Sequence, residues 1–379
     1  MELTGGPFVA LAITVTTVAL ITGAILTGRT RRTVWGAVQR ALAMVLVAVL
    51  AVLSVAIVLN AQNQWYVDWG DLAGTNDPTA HATTTGGSAG AIYGATPAPR
   101  PSASRASLPP LPSPNDRVQT FQVTGRRSGL TGRVVVLLPE DYAAPAQARR
   151  DYPVVMTMHG YPGSPDQWLD ALQGRERIDA AVTRGKVAPL VMVSPQLDFP
   201  KGTDSECVNA PGGAQVETWL TQDVPELVRS RLRVRTDRAS WASAGFSAGG
   251  YCAAMVAVRH PQTFGAGVVL GGYGRPTFSG RHVLRTQQQK DAYDLPHLLT
   301  TTRPPVALWV QTSDGDPVSY AGSTALAASA KAPTSVTLVM APGTGHRTSV
   351  WSRHFAQALE CLGRTVPGFA VGGAAGRAA

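Results

Sequence analysis

Gly245-Phe246-Ser247-Ala248-Gly249 follows directly on the mostly small, apolar run Ala239–Ala244 and leads into the helix-like stretch Gly250–Arg259. A serine between glycines at a strand-to-helix junction is the pattern of a nucleophile elbow. The chain turns sharply out of a strand, and small flanking residues let the backbone pass through a strained turn that presents the serine oxygen at the sheet edge. The pentapeptide alone is short, and a chain with 39 glycines produces such patterns by chance. Its setting between a predicted strand and a predicted helix gives it weight, as do partners that follow in the required order.

Pro305–Thr312 reads as a short buried strand and runs into Ser313-Asp314-Gly315-Asp316-Pro317. Ser335–Ala341 is a β-branched run typical of a last strand, and it leads into Pro342-Gly343-Thr344-Gly345-His346. Serine, acid, histidine is the chain order of the α/β-hydrolases. Serine is a weak nucleophile, so a neutral imidazole must take its proton during attack. The carboxylate must fix the imidazole tautomer and stabilise the imidazolium that forms. Asp314 and Asp316 both stand where the acid belongs. Asp316, followed by Pro317, fits the turning end of the loop and is the preferred acid, which leaves Asp314 as a solvated turn residue. Among the remaining histidines, His81 lies in a polar linker, His260 ends a helix, His354 sits on a helix, and His282 and His297 fall in loops.

Upstream, the apolar strand Tyr152–Met158 opens into His159-Gly160-Tyr161-Pro162-Gly163. A tetrahedral intermediate needs two preorganised N–H donors, one after the nucleophile and one after an early strand. The first is Ala248. Pro162 has no N–H to give, so Tyr161 is the candidate for the second. An ordinary Gly-Pro turn braced by His159 is the other reading of this segment.

The segment Trp219–Phe264 resembles the putative-esterase family, which includes esterase D, feruloyl esterases and the mycobacterial mycolyltransferases. The resemblance rests on Leu220-Thr221-Gln222-Asp223-Val224-Pro225-Glu226-Leu227, the elbow itself and Arg259-His260-Pro261-Gln262-Thr263-Phe264. It extends through His159-Gly160 and Pro342–His346, and so covers residues 118–365. It implies an α/β-hydrolase fold and acyl-ester chemistry, and it transfers catalytic roles to Ser247, Asp316 and His346. Asp316 also aligns better than Asp314 with the family pattern. Family members often carry Met after the nucleophile; this chain has Ala248, which leaves the backbone donor in place. Esterases and acyltransferases share these motifs.

The front of the chain is a different material. Pro7–Thr27 and Ala41–Leu59 are almost entirely apolar, each close to the roughly 20 residues that cross a bilayer core as a helix. Arg29, Arg31, Arg32 and Arg40 lie between them. By the positive-inside rule this loop is cytoplasmic, and the N-terminus and everything after Asn60 face outward. Trp65, Tyr66 and Trp69 suit an interfacial aromatic belt. A cleaved signal peptide fits less well, because only Glu2 is charged ahead of the first run. The expected organisation is a transmembrane hairpin over 1–60 with its basic loop at 28–40, a disordered Pro-, Ala-, Ser- and Thr-rich linker over 61–117, a catalytic domain over 118–365 and a flexible tail over 366–379.

Within the catalytic domain, strands are predicted at Gln119–Val123, Arg133–Leu138, Val154–Met158, Leu190–Ser194, Trp241–Ala244, Gly267–Leu270, Val306–Gln311 and Val336–Met340. Helices are predicted at Asp166–Leu172, Gln215–Leu232, Gly249–Arg259, Ser323–Lys331 and Ser349–Cys361. Their alternation predicts an α/β fold with a mostly parallel sheet flanked by helices.

The net charge of +9 comes mainly from arginine, and no recognised nucleic-acid motif accompanies it. Three cysteines facing an oxidising exterior suggest one disulfide, with Cys207 and Cys252 the expected pair and Cys361 left free. Metal-ligand spacing is absent, so no catalytic metal or other cofactor is expected. Trp168, Leu197, Asp198 and Tyr273 in the Gly271–Gly274 turn are candidate pocket residues. The expectation is a membrane-anchored, extracytoplasmic serine esterase acting on a small-molecule or envelope-lipid ester. An acyltransferase acting on envelope sugars is the closest alternative, and an inactive hydrolase-fold binding module is the third reading.

Overall fold

The structure, a computed structural model, describes residues 2–29, 33–76, 80–94, 108–113 and 115–372. The chain forms two compact units. One comprises Met1–Thr79 with the short segments Ser313–Pro317 and Pro342–Arg347. The other comprises Ala80–Thr312, Val318–Ala341 and Thr348–Ala379.

The larger unit is built on a nine-stranded sheet. In chain order the strands are β1 (His81–Gly86), β2 (Val118–Thr124), β3 (Thr131–Leu137), β4 (Val154–Met158), β5 (Val191–Pro195), β6 (Trp241–Phe246), β7 (Ala266–Leu270), β8 (Ala307–Thr312) and β9 (Ser335–Met340). Across the sheet they run β1-β9-β8-β7-β6-β4-β5-β3-β2. From β5 to β9 every pairing is parallel, while β2, β3 and β1 close the two edges with antiparallel pairings.

Alternation along each strand fills two cores. Val154, Met156 and Met158 of β4 face one cluster, together with Trp219, Val224, Tyr251 and Met255. Val155 faces the other, together with Ile178, Phe355 and Leu359. Helices therefore cover both faces: Val224–Arg231 and Ala248–Arg259 on one, Gly174–Thr183 and Thr348–Thr365 on the other. Strands buried on both sides need no polar face, which is why they read as unbroken apolar runs.

Several boundaries differ from expectation for physical reasons. Gln215–Leu232 is not one α-helix: Trp219–Asp223 winds as a π-turn between helical pieces. Pro225 has no N–H for the carbonyl of Thr221, so the turn widens there. Where a helix is expected over Asp166–Leu172, the regular element is a 3-10 turn, Pro165–Trp168. A further helix, Gly174–Thr183, follows.

Two terminal expectations need correction. His81–Gly86 falls in the stretch assigned to a disordered linker, yet it pairs antiparallel with β9 along its whole length. The short helix Ala89–Tyr93 follows it, and the Tyr93 hydroxyl donates to the Gly265 carbonyl at 3.0 Å. An edge strand held by its backbone needs no apolar pattern, so a Thr-rich sequence serves. At the other end Pro367–Phe369 forms a 3-10 turn with Phe369 fully buried, so the expected tail begins later than 366. The Pro-rich core of the linker, 95–107, and the last residues, 373–379, lie outside the described residues.

In the smaller unit, α1 (Gly6–Arg29) and α2 (Val34–Asn63) pair through Thr16 and Ser54, whose hydroxyls lie 2.7 Å apart. Both helices are long and apolar enough to cross a membrane. They carry large apolar side chains such as Leu20, Ile21, Leu46 and Val52 more than half exposed, a surface suited to lipid. The short helix α3 (Trp69–Ala73), capped by the Asp68 side chain, follows them.

Candidate active site

Ser247 closes β6 and opens the helix Ala248–Arg259. Its backbone, at φ 55° and ψ −125°, lies in a region that side-chain-bearing residues rarely adopt. The turn is nonetheless anchored, because the Ser247 N–H donates to the Leu270 carbonyl of β7 at 2.9 Å. The loop after β4 presses against this turn. A Cβ on Gly249 would lie 2.2 Å from the Met158 carbonyl oxygen, and one on Gly160 would lie 2.9 Å from the Phe246 ring and 3.3 Å from the Ser247 Cβ. Neither position tolerates a side chain.

Ala248 is the first residue of its helix, where a backbone N–H has no intrahelical partner and the helix dipole favours negative charge. Tyr161 sits on the loop packed against the elbow, with its hydroxyl donating to the Gly202 carbonyl at 3.0 Å. His159 is buried, and its Nδ1 lies 2.8 Å from the Gly160 carbonyl, so that nitrogen is the donor. Burial lowers its pKa and keeps the ring neutral. His159 thus braces the loop that carries the second candidate donor.

A small cleft lies beside the elbow, lined by Gly160, Tyr161, Leu197, Asp198, Glu206 and Ala248, among others. Cys207 and Cys252, also in its wall, form a disulfide with Cα atoms 5.6 Å apart. This ties the 197–207 loop to the elbow helix. Asp198 shapes the same loop by accepting from the Gly202 N–H at 2.6 Å. Cys361 is a free, half-buried thiol. Two of the candidate pocket residues stand elsewhere. Trp168 is fully buried with its ring against Phe246 and Phe355, because its bulk fills the core rather than the cleft. Tyr273 stacks on Tyr251 and donates its hydroxyl to Glu206 Oε1 at 2.5 Å, which places it behind the cleft wall.

Glu206 gave no signal in the sequence, since an isolated loop glutamate is ordinarily solvated. Here it is almost fully buried, and burial pushes its carboxyl up to about 8, with Asp204 adding to the effect against the Tyr273 hydrogen bond. Between the ordinary glutamate range and pH 8 the folded protein therefore holds a proton that the unfolded chain has lost. The stabilisation that the neutral carboxyl retains is fully present at pH 4.5 and below, and is lost as pH rises through 8. Glu206→Gln, which mimics the neutral acid, should remove this dependence. We expect thermal melts of the full chain in detergent to show the variant gaining on wild type by roughly 5 °C or more between pH 5 and pH 8. A constant difference across that range would count against a buried, protonated Glu206.

In the smaller unit, the segment after β8 carries Asp316 and the segment after β9 carries His346. His346 Nδ1 lies 2.8 Å from Asp316 Oδ2, with the two side chains only 11% and 3% exposed. Against a carboxylate Nδ1 is the donor, so in a neutral ring the lone pair sits on Nε2. Asp314 is exposed and accepts from the Gly343 N–H at 2.8 Å, so it braces the loop rather than the imidazole. Among the described residues, no three His, Cys, Asp or Glu side chains gather to hold a metal ion.

A strained serine elbow between a central parallel strand and a helix, on a sheet with this strand order, defines an α/β-hydrolase. Residues 129–318 match the putative esterase family, and the chain belongs to that family. It is 32% identical over 130 residues to an uncharacterized protein of Corynebacterium glutamicum, a match that takes in 34% of this chain and 30% of that relative's length. The chain thus spans about a third of the curated relative it matches. Among solved structures, a ferulic acid esterase superposes with a TM-score of 0.56 at 18% identity, over 66% of this chain and 98% of that one. An S-formylglutathione hydrolase from Agrobacterium tumefaciens gives 0.55 at 15% identity, over 66% and 95%. A fluorophosphonate-binding serine hydrolase of Staphylococcus aureus gives 0.53 at 14%, over 66% and 98%. At such identities the likeness is one of fold.

Proposed function

We propose that this chain is a serine esterase that hydrolyses carboxylic esters through an acyl-enzyme at Ser247. The observation that carries the proposal is the Ser247 turn: a half-buried serine at positive φ, with the first residue of a helix beside it and a loop packed on it. In this reading the Ser247 hydroxyl attacks the ester carbonyl carbon while His346 Nε2 takes its proton. The Ala248 and Tyr161 N–H groups hold the oxyanion. The ester C–O bond then breaks, and the alcohol leaves with the proton from His346. Water adds to the acyl-enzyme by the same route, releasing the acid and restoring Ser247. Asp316 keeps the proton on Nδ1 and stabilises the imidazolium.

The two apolar helices support a membrane anchor. The arginines at 29, 31, 32 and 40 support an extracytoplasmic catalytic domain by the positive-inside rule. Such an enzyme would meet a small-molecule or envelope-lipid ester. Product analysis tests the reaction class: the full chain in detergent, given an ester and a sugar acceptor, should release free acid equal to the alcohol produced. Acylated sugar in excess of free acid would instead make it an acyltransferase.

A further inference from the structure

The stretch following α2 is expected to do no more than link an anchor to a catalytic domain, but in the smaller unit it is folded tightly. Asn60, in the last turn of α2, closes it into a loop: its side chain accepts from the Tyr66 N–H and donates to the Tyr66 carbonyl, both at 2.8 Å. Asp68 caps α3 by accepting from the Asp71 N–H at 2.7 Å. Asp71 in turn accepts from the Val67 N–H.

This folded stretch grips the His346 loop from three directions. The Gln64 carbonyl accepts the backbone N–H of His346 itself at 2.8 Å. On one flank Asn76 Nδ2 donates to the Gly343 carbonyl at 3.0 Å. On the other, the Arg347 guanidinium donates to both Asp71 carboxylate oxygens at 2.6 and 2.7 Å and to the Trp65 carbonyl at 2.7 Å. It also lies 4.5 Å from the Tyr66 ring centroid. The Asp71 side chain is 2% exposed and that of Arg347 16%. Contact is so close that a Cβ on Gly345 would fall 2.2 Å from the Trp65 carbonyl oxygen.

A buried ion pair is weak evidence of net stability, because desolvation offsets its attraction. What a bidentate pair does supply is fixed geometry. Here it fixes the residue after His346, while the His346 N–H is fixed separately. A base that must reach its proton within about half an ångström depends on such support.

We propose that Gln64–Asn76 is a positioning element for His346, latched by Asp71 and Arg347, so that turnover depends on the segment that joins the apolar helices to the rest of the chain. This rests on the reading of His346 as the catalytic base. Asp71 touches no reacting atom and acts through Arg347.

The test uses the full chain in detergent and a chromogenic ester, comparing Asp71→Asn, Asp71→Glu and Asn76→Ala with wild type. Arg117→Ala serves as control, since it breaks a bidentate ion pair with Asp179 in the other unit. We expect Asp71→Asn to lower kcat about 10- to 100-fold with KM changed less than about twofold. Asp71→Glu should recover most of kcat, and Arg117→Ala should leave it unchanged. Asp71→Asn that melts as a folded protein and turns over like wild type, while Ser247→Ala and His346→Ala are dead, would overturn the positioning role alone. If Ser247→Ala or His346→Ala retained full activity, the esterase reading would fall first and this inference with it. Should Asp71→Asn not fold, Asn76→Ala decides: a several-fold loss in kcat at constant KM supports the role, and wild-type kcat overturns it.

Discussion

Ser247→Ala should lower kcat on a chromogenic ester by about 10⁶-fold and leave the fold intact. Removing the nucleophile of a serine hydrolase costs about as much as removing the whole triad, and the residual rate comes from binding and the oxyanion donors. The substitution removes one oxygen from a half-buried side chain. It leaves the positive-φ turn, the Ser247 N–H bond to Leu270 and the packing of Gly249 on β4 as they are. Alanine at φ 55° pays the same backbone cost that serine already bears. Steady-state kinetics with matched thermal melts separate loss of chemistry from loss of structure. A folded variant retaining more than about a hundredth of wild-type kcat would mean that another group performs the attack.

The second large effect is expected at Asp316, the proposed acid. Asp316→Asn should lower kcat by about 10⁴-fold, because an amide facing His346 Nδ1 favours the wrong tautomer and cannot stabilise the imidazolium. Asp314→Asn should change kcat by less than about threefold, as the amide oxygen can still accept the Gly343 N–H. The two aspartates are two residues apart in one loop, and the contrast between them is what kinetics on the pair of variants would read. A reversed pattern would make Asp314 the acid and the 2.8 Å contact of Asp316 with His346 structural.

How much of this could be read from the sequence follows from what kind of force holds each part. Strands β4 to β8 are buried on both faces, and their mostly apolar runs mark them within a residue or two; β9, half-buried at Thr337, Leu338 and Met340, is marked by its β-branched residues. The elbow is legible because its backbone demands small neighbours. By contrast β1 is held by main-chain pairing with β9, and its Thr-rich residues look like linker. Trp168 reads as a pocket aromatic because the sequence carries no sign of which side of a loop turns inward. Glu206 is hidden for the same reason: its hydroxyl partner Tyr273 and the disulfide partner Cys252 that holds its loop both come from distant parts of the sequence. The Asp71–Arg347 pair joins residues 276 apart, a separation that no local pattern encodes.

The family motifs divide along the same line. Leu220–Leu227 and Arg259–Phe264 carried much of the resemblance, yet their side chains serve the scaffold. Asp223 accepts the backbone N–H groups of Arg127 and Ser128 at the β2–β3 turn. Arg259 and His260 both pair with Glu217, at 2.7 Å each. Burial alone would raise the Glu217 carboxyl, but bonds from His260, Arg259 and Tyr293 bring it down to about 2. Through Glu217, Arg259 and His260 join the segment that precedes the π-turn to the C-terminal end of the elbow helix.

The most direct measurement is reaction of the full chain with a fluorophosphonate, read by intact mass and peptide mapping. An activated serine predicts one adduct per chain, located on the peptide that contains Ser247 and absent after Ser247→Ala. A folded wild-type protein that takes up no label, or takes it at another residue, would contradict the account.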